Sequence, residues 1–138
     1  MAEALILDSE ALNALVNPSD RGSLGLRARA IARVAHQRGA LVRVPSPVLA
    51  EVCRGSRFDA AVNQFLNRDA VRVVDLTRRM AQRAGSLLTA ARMSSVHAID
   101  AFVVATALEF EAAVIASGDL KDLKRLSSPY RQISLMAL

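Results

Sequence analysis

The chain contains no tryptophan, and its aromatic residues are limited to four phenylalanines and one tyrosine. With so few large rings, the core must be built from alanine, valine, leucine and isoleucine. Hydrophobic residues still make up 52% of the 138 residues and charged residues 22%, which excludes a disordered chain. The length suits a single domain, residues 1–138, and leaves no room for two.

Cysteine and long apolar runs are also scarce. Cys53 is the only cysteine, so no internal disulfide can form. The longest nearly apolar stretch, residues 101–108, is far shorter than the roughly 20 residues that a membrane-spanning helix needs. The N-terminal sequence MAEALILDSE lacks the basic leader of a signal peptide. These features predict a cytoplasmic protein that does not contact a membrane.

Positive charge exceeds negative charge, with a formal net charge of +5, and lysine is rare because 16 of the 18 basic residues are arginine. The arginines form two clusters: Arg27, Arg29, Arg33, Arg38 and Arg43, and then Arg68, Arg72, Arg78, Arg79 and Arg83. Arginine pairs with phosphate and carboxylate alike, so the excess favours nucleic acid or an acidic protein as partner. Arginines scattered over solvated surfaces would give the same composition.

Short apolar runs alternate with helical patterns along the chain. The apolar runs predict strands at residues 4–7, 41–44, 71–74, 113–116 and 131–135. Apolar residues at helical spacing predict helices at residues 9–16, 24–37, 46–54, 57–67, 77–92, 96–111 and 120–126. This alternation predicts an α/β fold, in which a parallel sheet of about five strands is flanked by helices on both faces.

Turn and cap residues support these boundaries. Ser9 and Thr77 stand where helix N-caps are expected, and Gly39 suits a C-terminal cap. The stretch at residues 17–23 contains proline and glycine and predicts a loop.

Four acidic residues stand out at strand ends or among apolar neighbours. Asp8 directly follows the first strand, and Asp119 lies in a turn three residues after the fourth. Glu51 lies in a helix that begins at a proline, and Asp100 opens the apolar segment IDAFVVATAL. Because ligands of open α/β sheets bind beyond the carboxyl ends of the strands, we expect these carboxylates to converge there.

The surroundings of Asp100 favour a metal ion. Its helix face also carries Val103 and Val104, so the carboxylate needs a partner: a helix N-terminus, an arginine or a metal. Several converging carboxylates suit Mg²⁺ or Mn²⁺. Zinc is disfavoured because the one cysteine and the two histidines, His36 and His97, have no zinc-ligand spacing. Metal-assisted hydrolysis of a phosphodiester is the natural reaction class.

Each acid also has a simpler explanation. Asp8 can cap the helix that follows it, Asp119 can cap another, and Asp100 can face a helix dipole as a first-turn acid. Glu51 can pair with Arg54 on the surface. The four explanations are harder to hold together than one at a time, which favours a shared site.

Four segments carry a resemblance to a known family: ILDSEAL, VPSPVLAEVCRG, HAIDAFVVATAL and VIASGDLKDLKRL. With these motifs in this order, the chain resembles PIN domains, and especially VapC-like toxins, over essentially its whole length. The resemblance implies a three-layer PIN-like fold. It also implies that Asp8, Asp100 and Asp119 bind Mg²⁺ or Mn²⁺ and that Glu51 completes the catalytic set.

Other positions match the family as accessory residues. Ser117 stands where relatives usually have threonine, Asp122 matches a second acid of the last motif, and Ser9 stands at a small or hydroxyl position. Glu10 is less usual, and is interpreted either as an extra acid of the site or as a first-turn helix residue. His97 is not part of the family motif and is expected on the surface at a helix start.

The resemblance implies a function as well. Such a protein would be a metal-dependent endoribonuclease, the toxin of a toxin–antitoxin pair, and a homodimer. The arginine clusters would hold the RNA backbone. A small antitoxin would inhibit the enzyme by placing an arginine or lysine in the acidic site.

Three other interpretations compete with this one. A catalytically silent PIN-like module that binds RNA or protein would have an incomplete acid set, whereas here the set is complete. A phosphorylated receiver domain would need paired acids after the first strand and a late lysine. A haloacid-type phosphatase needs Asp-x-Asp after its first strand, where this chain has Asp8-Ser9-Glu10.

Overall fold

The structure is a computed structural model that describes residues 3–17, 22–68 and 71–138. These segments contain five strands: β1 (Glu3–Leu7), β2 (Leu41–Pro45), β3 (Val71–Val74), β4 (Ala112–Ser117) and β5 (Ile133–Ala137). They also contain seven α-helices: α1 (Ser9–Val16), α2 (Ser23–Gln37), α3 (Leu49–Val52), α4 (Ser56–Arg68), α5 (Arg78–Ala91), α6 (Ala98–Ala107) and α7 (Lys121–Ser127). Residues 18–21 of the predicted loop lie outside the described residues.

The five strands form one sheet, in the order β3-β2-β1-β4-β5, and every neighbouring pair is parallel. From the central strand β1, the chain adds β2 and β3 on one side of the sheet and β4 and β5 on the other. The switch point of the topology therefore lies between β1 and β4, where Leu7 aligns with Ala116. This architecture confirms the predicted α/β fold with a parallel sheet and flanking helices.

The core consists of small and aliphatic side chains, as the lack of tryptophan requires. β1 is buried on both faces over residues 4–7, which explains why its sequence is apolar without alternation. Most of α6 is buried too. Its one buried polar side chain, Thr106, donates a hydrogen bond from its hydroxyl to the Phe102 carbonyl at 2.8 Å. No helix in the described segments is long and apolar enough to cross a membrane.

The cap predictions are partly confirmed. Thr77 accepts a hydrogen bond from the Met80 amide as the N-cap of α5, and Gly39 follows α2 with a φ of +73°. The prediction that Ser9 caps α1 is wrong, because Asp8 holds that position. Asp8 keeps an extended backbone as the strand ends, so its own side chain reaches the first turn of the helix.

Three predicted boundaries are corrected. The helix predicted over residues 46–54 is a 3₁₀ turn, Ser46–Val48, followed by α3, and the backbone is extended again at Cys53. The helix predicted over residues 96–111 begins as a second 3₁₀ turn, Ser95–His97, and ends at Ala107, because the Glu109 and Phe110 amides bond to carbonyls three residues back. The last strand lies about two residues later than predicted, since its register with β4 fixes it.

Candidate metal centre

Asp8 lies at the end of β1, the central strand. Its Oδ1 accepts a hydrogen bond from the Ala11 amide at 2.9 Å, so the carboxylate caps α1. The residue is only 7% exposed. This burial raises the pKa of Asp8 to about 6, against opposing interactions with Ser117 and with the Ala11 amide. A carboxyl group held this way gains from a nearby cation, because the cation favours its ionised form.

The turn after β4 brings Asp119 to the neighbouring strand end. The buried Ser117 hydroxyl accepts from the Asp119 amide and donates to the Asp119 carbonyl oxygen, both at 3.0 Å. The Asp119 Oδ1 accepts from the Lys121 amide at 3.2 Å. Ser117 therefore shapes the turn from within, and the exposed Asp119 carboxylate lies beside the start of α7.

Glu10 reaches across to the same turn. A Cβ atom placed on Gly118 would lie 1.7 Å from the Glu10 Oε2, so the glycine leaves room for this carboxylate. The charge of Glu10 also contributes to the raised pKa of Asp8. Of the two interpretations of Glu10, the structure supports both, because it is a first-turn residue of α1 and lies near the acids.

Asp100 connects the remaining acids. Burial raises its pKa first of all, and the negative charges of Asp122, Glu51 and Asp119 raise it further, while His97 opposes them. Asp8 in turn experiences the charge of Asp100. The structure thus brings together the four predicted acids and Asp122. We call these five residues the acidic edge: Asp8, Glu51, Asp100, Asp119 and Asp122.

The simpler explanations of the acids are met only in part. Asp8 does cap α1, whereas the N-cap of α7 is Leu120, and Asp119 only accepts a hydrogen bond from the Lys121 amide. Arg54, however, donates to the main-chain carbonyl of Glu51 at 3.3 Å rather than to its carboxylate. Ser9, which was predicted as an accessory residue together with Ser117 and Asp122, is the half-buried first residue of α1, beside Asp8.

His97 lies at the acidic edge, although the sequence interpretation placed it on the surface. Its Nδ1 is 3.3 Å from the Asp122 Oδ2, and its side chain is 33% exposed. His97, Asp100 and Asp122 each offer one ligand atom, and these atoms lie within 4.8 Å of one another. The spacing of three residues between His97 and Asp100 was the signal that could have revealed this, since such residues share a helix face.

The donor set fits a divalent cation. The acidic edge presents carboxylate oxygens from separate segments of the chain, and oxygen is the donor that Mg²⁺ and Mn²⁺ prefer. Within the described residues, no lysine or arginine forms an ion pair with any of its five carboxylates. Apart from the approach of His97 to Asp122, no side-chain cation among the described residues neutralises this charge, and a bound metal cation relieves it. The His97, Asp100 and Asp122 cluster can hold one.

The whole arrangement matches a known family. A family model described as PIN domain matches residues 5–128. The chain belongs to the PIN-domain family. The match includes every residue of the acidic edge, and it confirms the family predicted from the four sequence motifs.

Two solved structures resemble this PIN domain. A chain of the crystal structure of VapBC2 from Rickettsia felis, bound to a DNA fragment from their promoter, has a TM-score of 0.65 at 13% identity, and 97% of this chain and 98% of that chain are covered. A chain of a toxin–antitoxin complex from Klebsiella pneumoniae has a TM-score of 0.60 at 14% identity, with 94% and 95% covered. At these identities the likeness establishes the fold. No curated protein matches the chain.

A second charged region of the PIN domain lies away from the acidic edge. A groove of about 950 Å³ is lined by four arginines of α2, β2 and β3, namely Arg29, Arg33, Arg43 and Arg72. We call it the arginine groove. Its apolar lining includes Leu15, Leu41, Phe65 and Leu66. It contacts the first residues of β2 and β3, whereas the acids follow the strand ends.

Two of the groove's arginines lie side by side on neighbouring strands. Arg43 and Arg72 are partners in the parallel register of β2 and β3. Burial lowers the pKa of Arg43, and the positive charge of Arg72 lowers it further. Among the described residues neither has a carboxylate partner. The groove is therefore a place where positive charge is held without compensation.

The structure divides the two predicted arginine clusters. Of the cluster side chains that the structure describes, only Arg29, Arg33 and Arg43 of the first cluster and Arg72 of the second line the groove. The others include Arg79, which forms an ion pair with Glu109, and Arg27, whose guanidinium donates to the Leu138 carbonyl at 3.0 Å. The side chain of Arg68 lies outside the described residues.

Proposed function

We propose that this PIN domain is a ribonuclease that hydrolyses RNA phosphodiester bonds with Mg²⁺ or Mn²⁺ held by Asp8, Asp100 and Asp119. The supporting observation is the convergence of uncompensated carboxylates at the switch point of the sheet. A bound divalent cation would activate water and neutralise charge on the scissile phosphate.

Neighbouring residues of the chain hold the metal-binding carboxylates in position. The hydrogen bond from the Ala11 amide to Oδ1 fixes the orientation of the Asp8 carboxylate at the end of β1. Ser117 holds the turn that presents Asp119. Glu51 and Asp122 add negative charge near Asp100, which strengthens cation binding without requiring either carboxylate to attack the phosphate.

Cleavage of total RNA tests the proposal. Purified protein is incubated with Mg²⁺ or Mn²⁺, with chelator, and as the Asp100→Asn variant. We expect discrete cuts that disappear with chelator and fall at least about a hundredfold in the variant, because a ligand to the cation is lost. Glu3→Gln is the control, since Glu3 is an exposed acid at the opposite end of β1.

The outcome also separates the alternative. If wild type and Asp100→Asn bind RNA equally and neither cuts it, the protein is a catalytically silent binding module. If both cut alike while the variant is folded, the activity comes from a contaminant. Either result overturns the proposal.

We further propose that the protein is the toxin of a toxin–antitoxin pair, acting in the cytoplasm as a homodimer. The support is the shared fold with chains of complexes that are described as VapBC2 and as toxin–antitoxin. A cognate antitoxin would inhibit the enzyme by placing an arginine or lysine of its tail at the acidic edge, where the negative charge suits it.

The arginine groove suits a different part of the same antitoxin. Its arginines favour carboxylates, and its apolar lining, including Leu15 and Phe65, favours aliphatic side chains. An RNA backbone would use the charge and leave the apolar lining exposed. We therefore propose that an acidic amphipathic segment of the antitoxin binds the groove, and that the RNA is held elsewhere on the protein.

A further inference from the structure

His97 is positioned by its own local structure. The Ser94 hydroxyl accepts from the Val96 amide at 3.3 Å, and the His97 amide bonds to the Ser94 carbonyl at 3.1 Å. These bonds form the 3₁₀ turn, Ser95–His97, that leads into α6. His97 therefore lies one turn before Asp100 on the same side of the helix. The 3₁₀ turn therefore holds the backbone of His97 in a position from which the imidazole lies next to Asp100.

The side chains converge from two segments of the chain. Asp122 comes from α7, and its carboxylate approaches the His97 Nδ1 to 3.3 Å. Both side chains are partly buried, with 33% and 28% exposed. Ligands that share one cation at about 2.1 Å lie roughly 3 to 4 Å apart, so the observed limit of 4.8 Å needs only small side-chain rotations.

We propose that His97 is a nitrogen ligand which, with Asp100 and Asp122, makes the acidic edge bind Mn²⁺ and similar transition metals in preference to Mg²⁺. Asp100 is the ligand that this set shares with the set of the proposed function. The inference rests on the proposed metal dependence, and it names the cation that the site selects. Imidazole is a good ligand for transition-metal ions, while Mg²⁺ is held by oxygen and water. Carboxylates alone would favour the two classes more evenly.

A histidine beside an aspartate can also act by positioning it, and the test must separate these roles. The variant His97→Asn does so, because the asparagine amide can still donate to Asp122 from near the Nδ1 position. It removes the imidazole ligand and keeps the hydrogen bond. His36→Asn is the matched control, since His36 is the chain's other histidine and is exposed on α2, away from the acidic edge.

The measurement is isothermal titration of the whole protein with MnCl₂, CoCl₂ and MgCl₂ in the absence of RNA. We expect His97→Asn to weaken Mn²⁺ and Co²⁺ binding by about tenfold or more and Mg²⁺ binding by less than about twofold. The visible absorption spectrum of bound Co²⁺ should change in His97→Asn and remain the same in His36→Asn. Thermal unfolding of each variant confirms that it is folded.

Other results contradict the proposal. Unchanged affinities with an unchanged Co²⁺ spectrum would show that His97 is not a ligand and at most positions Asp122, a role that the asparagine keeps. Equal weakening of Mn²⁺ and Mg²⁺ binding would show that the imidazole does not select between the two metals. Because no RNA is present, failure here is independent of the cleavage assay. A protein that binds Mn²⁺ through His97 and cuts no RNA would overturn the proposed function and leave this inference intact.

Discussion

The acidic edge and the arginine groove both hold like charges close together, yet they do so in different ways. At the acidic edge, Asp8 is nearly fully buried and its pKa is raised to about 6. In the groove, Arg72 is exposed, and burial and the charge of Arg72 lower the pKa of Arg43. Solvent screens the repulsion in the groove, whereas at the acidic edge burial raises the pKa values of Asp8 and Asp100.

This difference indicates the size of each ligand. Converging carboxylates, some of them buried, suit a small cation of high charge density that binds between them. The groove is wide, and its charges surround apolar side chains, so it suits an extended segment with both acidic and aliphatic residues. The two regions can therefore be perturbed separately, and each perturbation should leave the other region unaffected.

The largest effect that we expect is on the stability of the metal-free protein. Asp8→Asn removes the buried charge and keeps an oxygen that can accept from the Ala11 amide, so α1 remains capped. A pKa raised from 3.8 to about 6 corresponds to about 3 kcal/mol of free energy of unfolding. In chelator at pH 7.5, Asp8→Asn should be more stable than wild type by up to this amount. Urea denaturation measures it.

The sign of the pH dependence follows from the same shift. Between pH 3.8 and about 6, the folded state holds a proton on Asp8 that the unfolded state has released. Wild type therefore gains stability relative to Asp8→Asn as the pH falls through 6, and the gap should close near pH 4. A gap that stays constant from pH 4 to 7.5 would show that burial of the charge is not its origin. Added Mn²⁺ should stabilise wild type more than the variant.

An intermediate effect is expected at the groove. The double variant Arg43→Gln/Arg72→Gln should weaken binding of a synthetic amphipathic peptide, with glutamates on one helical face and leucines on the other, by about tenfold. Wild-type affinity should fall with salt, and the variant's should fall less. Fluorescence anisotropy of the labelled peptide measures both.

The control is Arg131→Gln, which removes an exposed arginine outside the groove lining. If the peptide binds all three proteins equally, the proposed docking of an acidic segment is wrong. If an RNA oligonucleotide loses affinity for the groove variant while the peptide does not, the groove binds the substrate instead. Metal affinity should be the same in all three proteins, because the groove and the acidic edge share no residue.

Much of the fold could be predicted from the sequence because its signals are local. The apolar run of β1 and the cap at Thr77 depend on a few neighbouring residues, and both were confirmed. The predicted ends of α6 and β5 were wrong. After α6 the Glu109 and Phe110 amides bond to carbonyls three residues back, and the register with β4 fixes β5. Local patterns give the elements, whereas their ends also depend on the hydrogen bonding of the last turn and on strand pairing.

The candidate site shows the same division. The convergence of Asp8, Asp100 and Asp119 was expected from strand ends and helix faces. The approach of His97 to Asp122 was missed, because it joins residues of α7 and of the turn before α6 whose distance depends on packing. The splitting of the arginine clusters was missed for the same reason: neighbours in sequence, such as Arg27 and Arg29, point to different surroundings.

The smallest effect concerns whether Glu10 belongs functionally to the acidic edge. Gly118→Ala places a methyl group where the Glu10 carboxylate lies, so this side chain must rotate away from the turn. Because Glu10 is exposed and flexible, the variant should lose less than about 1 kcal/mol of stability. A double-mutant cycle with Glu10→Ala measures the coupling, which we expect to be about 0.5 kcal/mol or more.

The two single variants and the double variant separate steric from electrostatic contributions. If Glu10 is the neighbour that resists the methyl group, Gly118→Ala should have almost no effect in the Glu10→Ala background. An unchanged loss there would mean that the turn itself rejects alanine. Glu10→Ala also removes a negative charge near Asp8, so the free energy of unfolding of the metal-free protein at pH 7.5 should rise slightly in this variant. The arginine groove should bind its peptide equally in all three variants, which keeps the two charged regions independent.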